Sequence, residues 1–559
     1  MTTPSSGILT GARSAVAALE DAGVEVAFGL PGVHNLALWR ELNGSPIRLV
    51  GVRHEQTAAY AADGYARASG RLGVALTTTG PGAANTLAAV GEAWASRQPV
   101  LVIATDIPST ARRPGVWRGV LHEATDQAAM FMPVVKEAIR VRSAEEIGPA
   151  VTRAIETALA PPSRPVYVEI PTDLLNDEAG VEGSDPSTQP STTLRKGSDP
   201  FPRVDPDQLD RALALLERAR RPLVWAGGGA LQSGAGEAVA RLAERLVAPV
   251  ILTFSAKGLV PPGHPCLVES SPHVPEAGEL WDEADVVVAI GSDLDGMMTQ
   301  GWKQPQPPHL VAINVDPRDA SKNYRPDVVV EADAAKAAAA LAERLSDRGG
   351  LDSLQRRVRE LNRAVRQRLE GEEPEAVTFL DALDAALPDD AVVVCDMCIP
   401  GYWLGGFHRT PAPRKLTYPL GWGTLGCAFP QGLGAALAGA GPAVSISGDG
   451  GFLYAVGELA AAKQENIPLT AVIVDDGGYG MIRYDQDLHG DPREGVDLAN
   501  PDFVALAAAF GIRADRVDGL GEHFGMALKG HVALKEPTLL VARAALGPPP
   551  NVSPRWYRR

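Results

Sequence analysis

The sequence predicts an α/β protein made of three consecutive doubly wound domains with parallel sheets. Short β-branched runs, such as those at 286–290 and 469–474, are typical of buried strands, and segments with helical spacing separate them. Strands that alternate with helices form βαβ units, in which neighbouring strands run parallel. The length of 559 residues is enough for about three or four such domains.

The first domain is expected to span residues 1–180 and the next segment, 181–206, to be a linker. The linker is rich in Ser, Pro and Thr and has no periodicity. Helices and strands alternate before it, as a doubly wound sheet requires. The expected helices are 9–22, 57–69 and one from Gly82 to Trp94, and the expected strands are 24–28, 47–52, 74–78, 100–105 and 166–169.

A central α/β domain is expected at 207–350, a charged connecting helix at 351–374 and a third α/β domain at 375–559. In the central domain we expect a helix at 207–218 and strands at 223–226, 250–253 and 286–290. In the third domain we expect strands at 391–395, 444–447 and 469–474, with a single helix over 452–465.

Composition excludes several classes of function. The hydrophobic share of 45% and the charged share of 21% are those of an ordinary globular protein. A net charge of −16 argues against nucleic-acid or anionic-membrane partners. There is no apolar run long enough for a membrane span and no secretory signal in residues 1–10, so a cytoplasmic protein is expected. Cys395 and Cys398 have the spacing of a redox pair, but they lack thioredoxin-like surroundings, and no redox role is expected.

The turn after the strand at 444–447 carries the clearest chemical signal. Asp449 and Asp476 follow two parallel strands, where open α/β sheets bind their ligands. Gly448, Gly450 and Gly451 let a ligand approach the backbone, and a helix N-terminus suits a phosphate. Mg²⁺ binds through one or two carboxylates and phosphate oxygens. The turn therefore predicts a Mg²⁺-bridged diphosphate, and the alternative is a solvated turn with two loop aspartates.

This turn resembles the thiamin-diphosphate fingerprint, which is Gly-Asp-Gly followed after the next strand by a pair of asparagines. The pair here is Asp475-Asp476. The resemblance implies that the side chains of Asp449 and Asp476 and the carbonyl of Gly478 hold the metal. It implies cofactor contacts at Gly448, Asp449, Gly450, Gly451, Asp476, Gly478, Tyr479, Gly480 and Met481.

A second group of motifs lies in the first domain. The run His54-Glu55 to Arg67, the turn from Thr78 to Asn85 and the turn 28–32 resemble the pyrimidine-binding domain of acetolactate synthase and its relatives. Together with the Gly-Asp-Gly turn, the likeness covers essentially the whole chain. It implies that Glu55 is the catalytic acid, hydrogen-bonded to N1′ of the aminopyrimidine so that the 4′-imino tautomer forms. The alternative is that Glu55 is only a helix first-turn acid.

The resemblance also implies cofactor contacts at Pro31, Gly82 and Asn85, and at the turn Gly421–Gly426 of the last domain. There Leu425 would be the wedge that bends the cofactor, and the Gly423 carbonyl would accept its 4′-amino group. A wedge brings the amino nitrogen close to C2, which is a proximity effect. The alternative reading of Leu425 is an ordinary core leucine.

The chain departs from true acetolactate synthases in several places. Tyr484-Asp485 replaces a Gln-Trp pair, and Leu121-His122-Glu123 replaces Phe-Gln-Glu. The central-domain segment that touches flavin in that family keeps Lys257-Gly258 but lacks the expected Gly-Met-His-Gly and Arg. These departures argue against bound flavin and favour the acetolactate-synthase-like 2-oxo acid decarboxylases. The candidates for substrate contact, each of which is alternatively a solvated loop residue, are His122, Asp485, Gln486 and His489.

The resemblance implies an enzyme that needs thiamin diphosphate and Mg²⁺ and acts on a small-molecule 2-oxo acid. It would lose CO₂ to give an enamine, then protonate the enamine or add it to a second carbonyl. A homodimer, or a dimer of dimers, is expected because the family builds each site from two subunits. The alternatives are a true flavin-containing acetolactate synthase, a non-catalytic relative, and a nicotinamide-dependent dehydrogenase suggested by Gly227-Gly228-Gly229.

Overall fold

A computed structural model describes residues 8–181 and 204–550, so almost all of the predicted linker at 181–206 lies outside the described residues. The described chain forms two compact units. The first comprises 8–181, 419–439 and 455–468, and the second comprises 204–418, 440–454 and 469–550. Three six-stranded sheets, in which every neighbouring pair of strands is parallel, confirm the predicted fold class.

The first unit contains one of these sheets. Its strands lie in the spatial order Arg48–Gly51, Val26–Gly29, Gly73–Thr77, Val100–Asp106, Val166–Pro171 and Glu137–Arg140. Its helices are Gly11–Asp21, Leu36–Leu42, Glu55–Ser69, Pro81–Ala84, Leu87–Ala95, Ile147–Leu159, Ala428–Leu437 and Leu459–Gln464. The inner strands Gly73–Thr77 and Val100–Asp106 are buried along their whole length, which explains their mostly apolar sequences.

The second unit contains the other two sheets. The central sheet has the order Leu267–Val268, Val250–Leu252, Pro222–Ala226, Val286–Ile290, His309–Asn314 and Val328–Glu331. The third sheet has the order Leu416–Thr417, Val392–Cys395, Ala443–Gly448, Leu469–Asp475, Thr538–Arg543 and Arg513–Asp518.

Helices of the second unit flank both sheets and connect them. Those of the central region are Pro206–Arg218, Gly228–Gln232, Gly236–Leu246, Pro275–Glu283, Pro317–Ser321, Ala334–Arg344 and Leu351–Glu372. Those of the third region are Pro374–Ala386, Ile399–Phe407, Asp449–Leu453, Gly480–His489, Phe503–Ala509 and Glu522–Ala533.

The single helix predicted over 452–465 is wrong. The chain instead forms the short helix Asp449–Leu453, a 3₁₀ turn at Val456–Glu458 and the helix Leu459–Gln464. Ala455 has φ −127° and ψ 20°, which is outside the helical region and breaks the ladder. Apolar spacing alone could not detect this break, because the apolar positions continue in phase across it.

Two further differences from the expectation are local. The helix expected from Gly82 to Trp94 is divided into Pro81–Ala84 and Leu87–Ala95. A two-stranded antiparallel sheet, which the sequence did not suggest, pairs Ile8–Thr10 with Glu178–Val181. No helix in the part of the chain that the structure describes is long and apolar enough to cross a membrane.

Helix Glu55–Ser69 packs closely on helix Ala428–Leu437, and glycines make this possible. A Cβ at Gly64 would lie 2.0 Å from the Gln431 carbonyl oxygen, and a Cβ at Gly434 would lie 1.8 Å from that of Ala61. Larger side chains at either glycine would therefore push the helices apart. This packing fixes the helix whose first residue is the predicted catalytic acid.

Candidate active site

Glu55 lies where the polypeptide leaves the strand Arg48–Gly51 and begins helix Glu55–Ser69. Its side chain is 8% exposed, and Oε2 accepts a hydrogen bond of 3.0 Å from Asn85 Nδ2. A Cβ at Gly82 would lie 3.4 Å from Glu55 Oε1, so the Gly82 backbone faces the carboxyl group. The structure thus brings together three predicted site residues from two separate motifs.

His54, which we did not assign to catalysis, caps this helix. Its Nδ1 accepts a hydrogen bond of 3.2 Å from the backbone N–H of Gln56. An N-cap acceptor satisfies one of the free amides at a helix start. The local role of His54 is therefore structural.

A buried carboxylate that sequence reasoning missed holds the segment before Glu55. Glu458 is 1% exposed and accepts backbone hydrogen bonds from Arg53, at 3.0 Å to each oxygen, and from His54, at 2.9 Å. Burial raises the pKa of Glu458. No sequence signal could pair residues more than 400 positions apart. Glu458 is the last residue of the 3₁₀ turn Val456–Glu458, which the sequence did not predict.

The Pro31 turn and His122 lie against the same edge of the first sheet. A Cβ at Gly32 would meet the Thr78 side chain at 2.6 Å, and His34 Nδ1 is 2.7 Å from Thr79 Oγ1. The rings of His34 and His122 pack edge to face with centroids 5.3 Å apart, and burial lowers the pKa of His34.

His122 has a left-handed backbone conformation, and its carbonyl group lies against Gly80. His122 has φ +68°, and its carbonyl oxygen would be 2.6 Å from a Cβ at Gly80. Gly80 starts the turn that leads to Gly82, so His122 is the one substrate candidate that lies near the Glu55 motifs in the first unit.

The turn Gly421–Gly426 is held by a second buried acid that the sequence did not single out. Glu92 is fully buried and accepts hydrogen bonds from the backbone N–H groups of Gly421, at 3.2 Å, and Trp422, at 2.8 Å. Gly423 has φ +67°, which favours glycine there, and Leu425 is partly buried.

The diphosphate edge predicted from the sequence lies in the third sheet. Asp449 is fully buried at the start of helix Asp449–Leu453, and its Oδ1 accepts from the backbone N–H of Gly450 at 2.7 Å. Asn500 Nδ2 donates to Asp449 Oδ2 and, at 2.9 Å, to Asp475 Oδ1. Asn500 was missed as a site residue, because nothing local in the sequence marks a side chain that folds back across 51 positions.

Negative charge accumulates at this edge. Burial and the neighbouring Asp449 carboxylate raise the pKa of Asp476 to about 6. Burial and, less strongly, the Asp475 carboxylate raise the pKa of Asp449. The hydrogen bond from the Asn500 amide lowers it in part. Buried carboxylates that raise one another's pKa favour a bound cation. Asn500 Oδ1, which is buried without a hydrogen-bond partner, is a further oxygen beside them.

The other predicted cofactor residues of this edge pack tightly around the aspartates. A Cβ at Gly450 would lie 2.5 Å from the Tyr479 ring, and a Cβ at Gly480 would lie 2.3 Å from Asp476 Oδ2. The Gly478 N–H donates to Asp476 Oδ1 at 3.2 Å. The remaining members are Gly451 and Met481, which are buried, and Gly448, which is partly buried.

Three substrate candidates lie on helix Gly480–His489, which follows the Asp476 turn. Asp485 is partly exposed, and its carbonyl is 2.8 Å from His489 Nδ1. Gln486 Nε2 donates to the Glu494 carbonyl at 3.2 Å, and its buried Oε1 has no hydrogen-bond partner. His489 is exposed at the end of the helix, where its ring forms a hydrogen bond with the Asp485 carbonyl one turn earlier.

Two further observations concern metal-ligating side chains and thiols. Among residues 8–181 and 204–550 there is no group of three or more His, Cys, Asp or Glu side chains arranged to hold a metal. The four cysteines are free thiols, and burial raises the pKa of Cys398 far above its usual range. Any metal at the Asp449 edge would therefore need oxygens beyond carboxylates, such as those of a diphosphate.

Comparison with known proteins gives a consistent result along the chain. Family models described as the N-terminal thiamine pyrophosphate binding domain, the central domain and the C-terminal thiamine pyrophosphate binding domain of thiamine pyrophosphate enzymes match residues 9–130, 209–341 and 398–542. Each edge described above falls within or beside a matched segment.

Curated relatives span nearly the whole chain. A probable 2-ketoarginine decarboxylase of Pseudomonas aeruginosa is 37% identical over 521 residues, which cover 92% of this chain and 90% of that protein. A probable acetolactate synthase large subunit of Methanocaldococcus jannaschii is 31% identical and covers 95% and 91%, respectively. Acetolactate synthase isozyme 3 large subunit of Escherichia coli is 29% identical and covers 90% and 89%. The chain belongs to the thiamin-diphosphate-dependent enzymes, in the acetolactate synthase-like group that includes 2-oxo acid decarboxylases.

Proposed function

We propose that this protein is a thiamin-diphosphate- and Mg²⁺-dependent decarboxylase of a 2-oxo acid. The observation that carries the proposal is the buried Glu55 carboxyl group, oriented by Asn85 and faced by the Gly82 backbone. A carboxyl group in such a place can hold a proton at one defined position. Bound thiamin diphosphate would supply a carbanion at C2 that attacks the substrate carbonyl.

In this proposal Glu55 hydrogen-bonds to N1′ of the aminopyrimidine. Asn85 occupies only Oε2, which leaves Oε1 available beside Gly82. The backbone bonds from Arg53 and His54 to Glu458 keep the start of the Glu55 helix in place. Positioning of this kind is a large part of enzymatic rate enhancement, because a misplaced group loses its effective concentration.

We assign the metal to Asp449, Asp476 and the Gly478 carbonyl. The fit is supported by the two crowded carboxylates and by the raised pKa of Asp476, both of which a divalent cation would relieve. Replacing the family's asparagine by Asp476 keeps an oxygen ligand. The close contacts of Gly450 with Tyr479 leave backbone rather than side chain at the turn where the diphosphate would lie.

The substrate we favour is a 2-oxo acid with a cationic side chain. The relative from Pseudomonas aeruginosa is named for 2-ketoarginine. Helix Gly480–His489 carries Asp485 and Asp487, and Arg493 already neutralises Asp487 through bonds of 2.7 and 2.6 Å. Our candidate for contact with a guanidinium or ammonium group is Asp485, together with Gln486, His489 and His122.

Carboligation is the second candidate, because the other relatives are named acetolactate synthases. A panel of 2-oxo acids, assayed for CO₂ and for acyloin products, separates the two functions. Decarboxylation predicts CO₂ and aldehyde in equal amounts, with 2-ketoarginine preferred over pyruvate. Acyloin as the main product would favour the carboligase, and no CO₂ from any acid would contradict both.

Glu55→Gln tests the mechanism directly. Turnover should fall by about 10³-fold while thiamin diphosphate still binds, since general acid–base groups contribute roughly that much. Asn85→Asp is a contrasting variant that places a second carboxylate against Glu55. Near-normal CO₂ release by Glu55→Gln would remove the proposed role.

We also propose a homodimer in which each cofactor is shared by two copies. Mixing inactive Glu55→Gln with inactive Asp449→Ala under subunit exchange should restore part of the activity, because one site of a mixed dimer keeps both residues. A fully active monomer in sedimentation would exclude this arrangement.

A further inference from the structure

The loop 421–425 is held to the first sheet's helices by one buried carboxylate. Glu92 lies in helix Leu87–Ala95, begun two residues after Asn85, and has no exposed surface. Its Oε1 accepts from Gly421 N at 3.2 Å, and Oε2 accepts from Trp422 N at 2.8 Å and from Thr424 Oγ1 at 3.3 Å.

Two side chains of the same unit also donate hydrogen bonds to Glu92 Oε1. Arg67 Nη2 donates to Glu92 Oε1 at 3.1 Å, and Ser96 Oγ donates at 2.8 Å. Arg67 is itself bound to Asp63 at 2.9 Å, so it stays paired with a carboxylate if Glu92 loses its charge. The cluster therefore supplies donors to both carboxylate oxygens, and each oxygen faces one backbone N–H, which an amide NH₂ group cannot accept from.

Trp422 adds a second contact between the loop and this helix. A Cβ at Gly91 would lie 2.4 Å from Cη2 and Cζ3 of Trp422, so the indole rests directly on the Gly91 backbone. Trp422 is 53% exposed, and the Gly91 backbone of helix Leu87–Ala95 lies against its ring. Glu92 and Gly91 thus hold the same loop through adjacent residues.

From these contacts we infer that Glu92 is a positioning residue, which holds the loop so that the Gly423 carbonyl and Leu425 face the cofactor's aminopyrimidine. The inference rests on the proposed function for those two contacts. Backbone amides bound to a buried carboxylate are well ordered, because charge-assisted hydrogen bonds are short and strong. Gly423, with φ +67°, lies directly after the two anchored amides.

Glu92→Gln tests the inference, because the variant keeps the size of the side chain and turns one acceptor into a donor. In apo protein labelled with 5-fluorotryptophan, the ¹⁹F signal of Trp422, assigned with Trp422→Phe, should shift and sharpen. The signals of the buried Trp225 and Trp281 should not move, which would show that the fold is intact. An unchanged Trp422 signal would overturn the anchoring role.

The cofactor provides a second measurement. Deuterium exchange at C2 of the bound thiamin diphosphate should slow by about 10²-fold in Glu92→Gln, as misplacing a catalytic contact by about 1 Å does. Cofactor affinity should change little, because the diphosphate residues are untouched. Loss of thermal stability with normal C2 exchange would reduce Glu92 to a structural role and overturn the inference.

Gly91→Ala perturbs the same loop without changing charge. Its methyl group displaces Trp422, so the ¹⁹F shift and the slower exchange should both recur. This variant decides the question if Glu92→Gln does not fold. Glu25→Gln, at an exposed carboxylate paired with Arg71, is the matched control and should leave both measurements unchanged. If the wild-type enzyme itself shows no C2 exchange, the proposed function fails rather than the role of Glu92.

Discussion

The central and third sheets present the same edge with different chemistry. Strands Pro222–Ala226 and Ala443–Gly448 occupy the same place in their strand orders, and each is followed by a glycine turn and a five-residue helix. In the central sheet a Cβ at Gly229 would lie 3.0 Å from Gly291 Cα, so the protein's own backbone fills the turn. In the third sheet the corresponding turn carries Asp449.

This difference shows that topology supplies an edge and side chains supply a site. The run Gly227-Gly228-Gly229 is explained by the close approach of the Gly291 turn, where a Cβ at Gly227 would lie 2.6 Å from the Gly291 carbonyl oxygen. A dinucleotide is therefore not needed to account for these glycines. The glycines around Asp449 instead accompany two carboxylates whose pKa values burial raises.

The largest expected effect is on cofactor affinity, when an aspartate is removed from the edge of the third sheet or from that of the central sheet. Asp449→Ala should weaken Mg²⁺-dependent binding of thiamin diphosphate by about 100-fold or more, since even outer groups of metal sites cost 10–100-fold. Asp293→Ala, at the central edge, is the matched control. It breaks the 2.7 Å ion pair with Lys322 and should leave cofactor affinity unchanged. Calorimetric titration measures both, and equal losses in the two variants would contradict the comparison.

A second prediction separates packing from binding. Gly291→Ala places a methyl group 2.1 Å from the Ala230 nitrogen at a residue with φ +57°, and should lower the free energy of unfolding by about 1–3 kcal/mol. Gly450→Ala displaces the Tyr479 ring and should lower cofactor affinity. Denaturant unfolding and cofactor titration of both variants test this. A loss of cofactor affinity in folded Gly291→Ala would show that the central edge also binds.

A smaller effect concerns Lys257, beside the central sheet. Its buried Nζ donates to the Gly406 carbonyl at 2.9 Å, and burial lowers its pKa to about 8. The unfolded chain therefore binds more protons than the folded chain between about pH 8 and 10.5, so this residue makes stability rise with pH in that window. The melting temperature of the wild type relative to Lys257→Met should rise by a few degrees from pH 7.5 to 9.5. A difference that stays constant with pH would contradict the assignment.

The last prediction is that the purified protein contains no flavin. Purified protein should show no flavin absorbance, because the central-domain segment keeps Lys257-Gly258 but lacks the Gly-Met-His-Gly and Arg expected of a flavin-containing acetolactate synthase. Stoichiometric flavin released on denaturation would restore the true acetolactate synthase alternative. It would also make the central edge a binding site and remove the contrast with the third sheet.

The sequence predicted the fold class because buried parallel strands and their crossover helices leave strong periodic signals. The strand at Val286–Ile290 agrees with its predicted limits, and the helix Leu351–Glu372 ends two residues before its predicted end at 374. The break at Ala455 was not predictable, because apolar spacing continues through it and only the backbone angles reveal it. Motif positions such as Glu55 and Asp449 were predicted because each motif is local in sequence.

By itself the sequence determined the fold class, and it predicted the residues proposed for the chemistry: the acid that opens the Glu55 helix, the aspartates that follow two strands, and the glycines beside them. The tertiary structure decided what supports those residues. Glu92, Glu458 and Asn500 carry no local motif, and each acts on a segment 51 or more positions away. The physical reason is that a buried carboxylate or amide is stable only where donors or acceptors from distant segments converge on it, and convergence belongs to the packed chain.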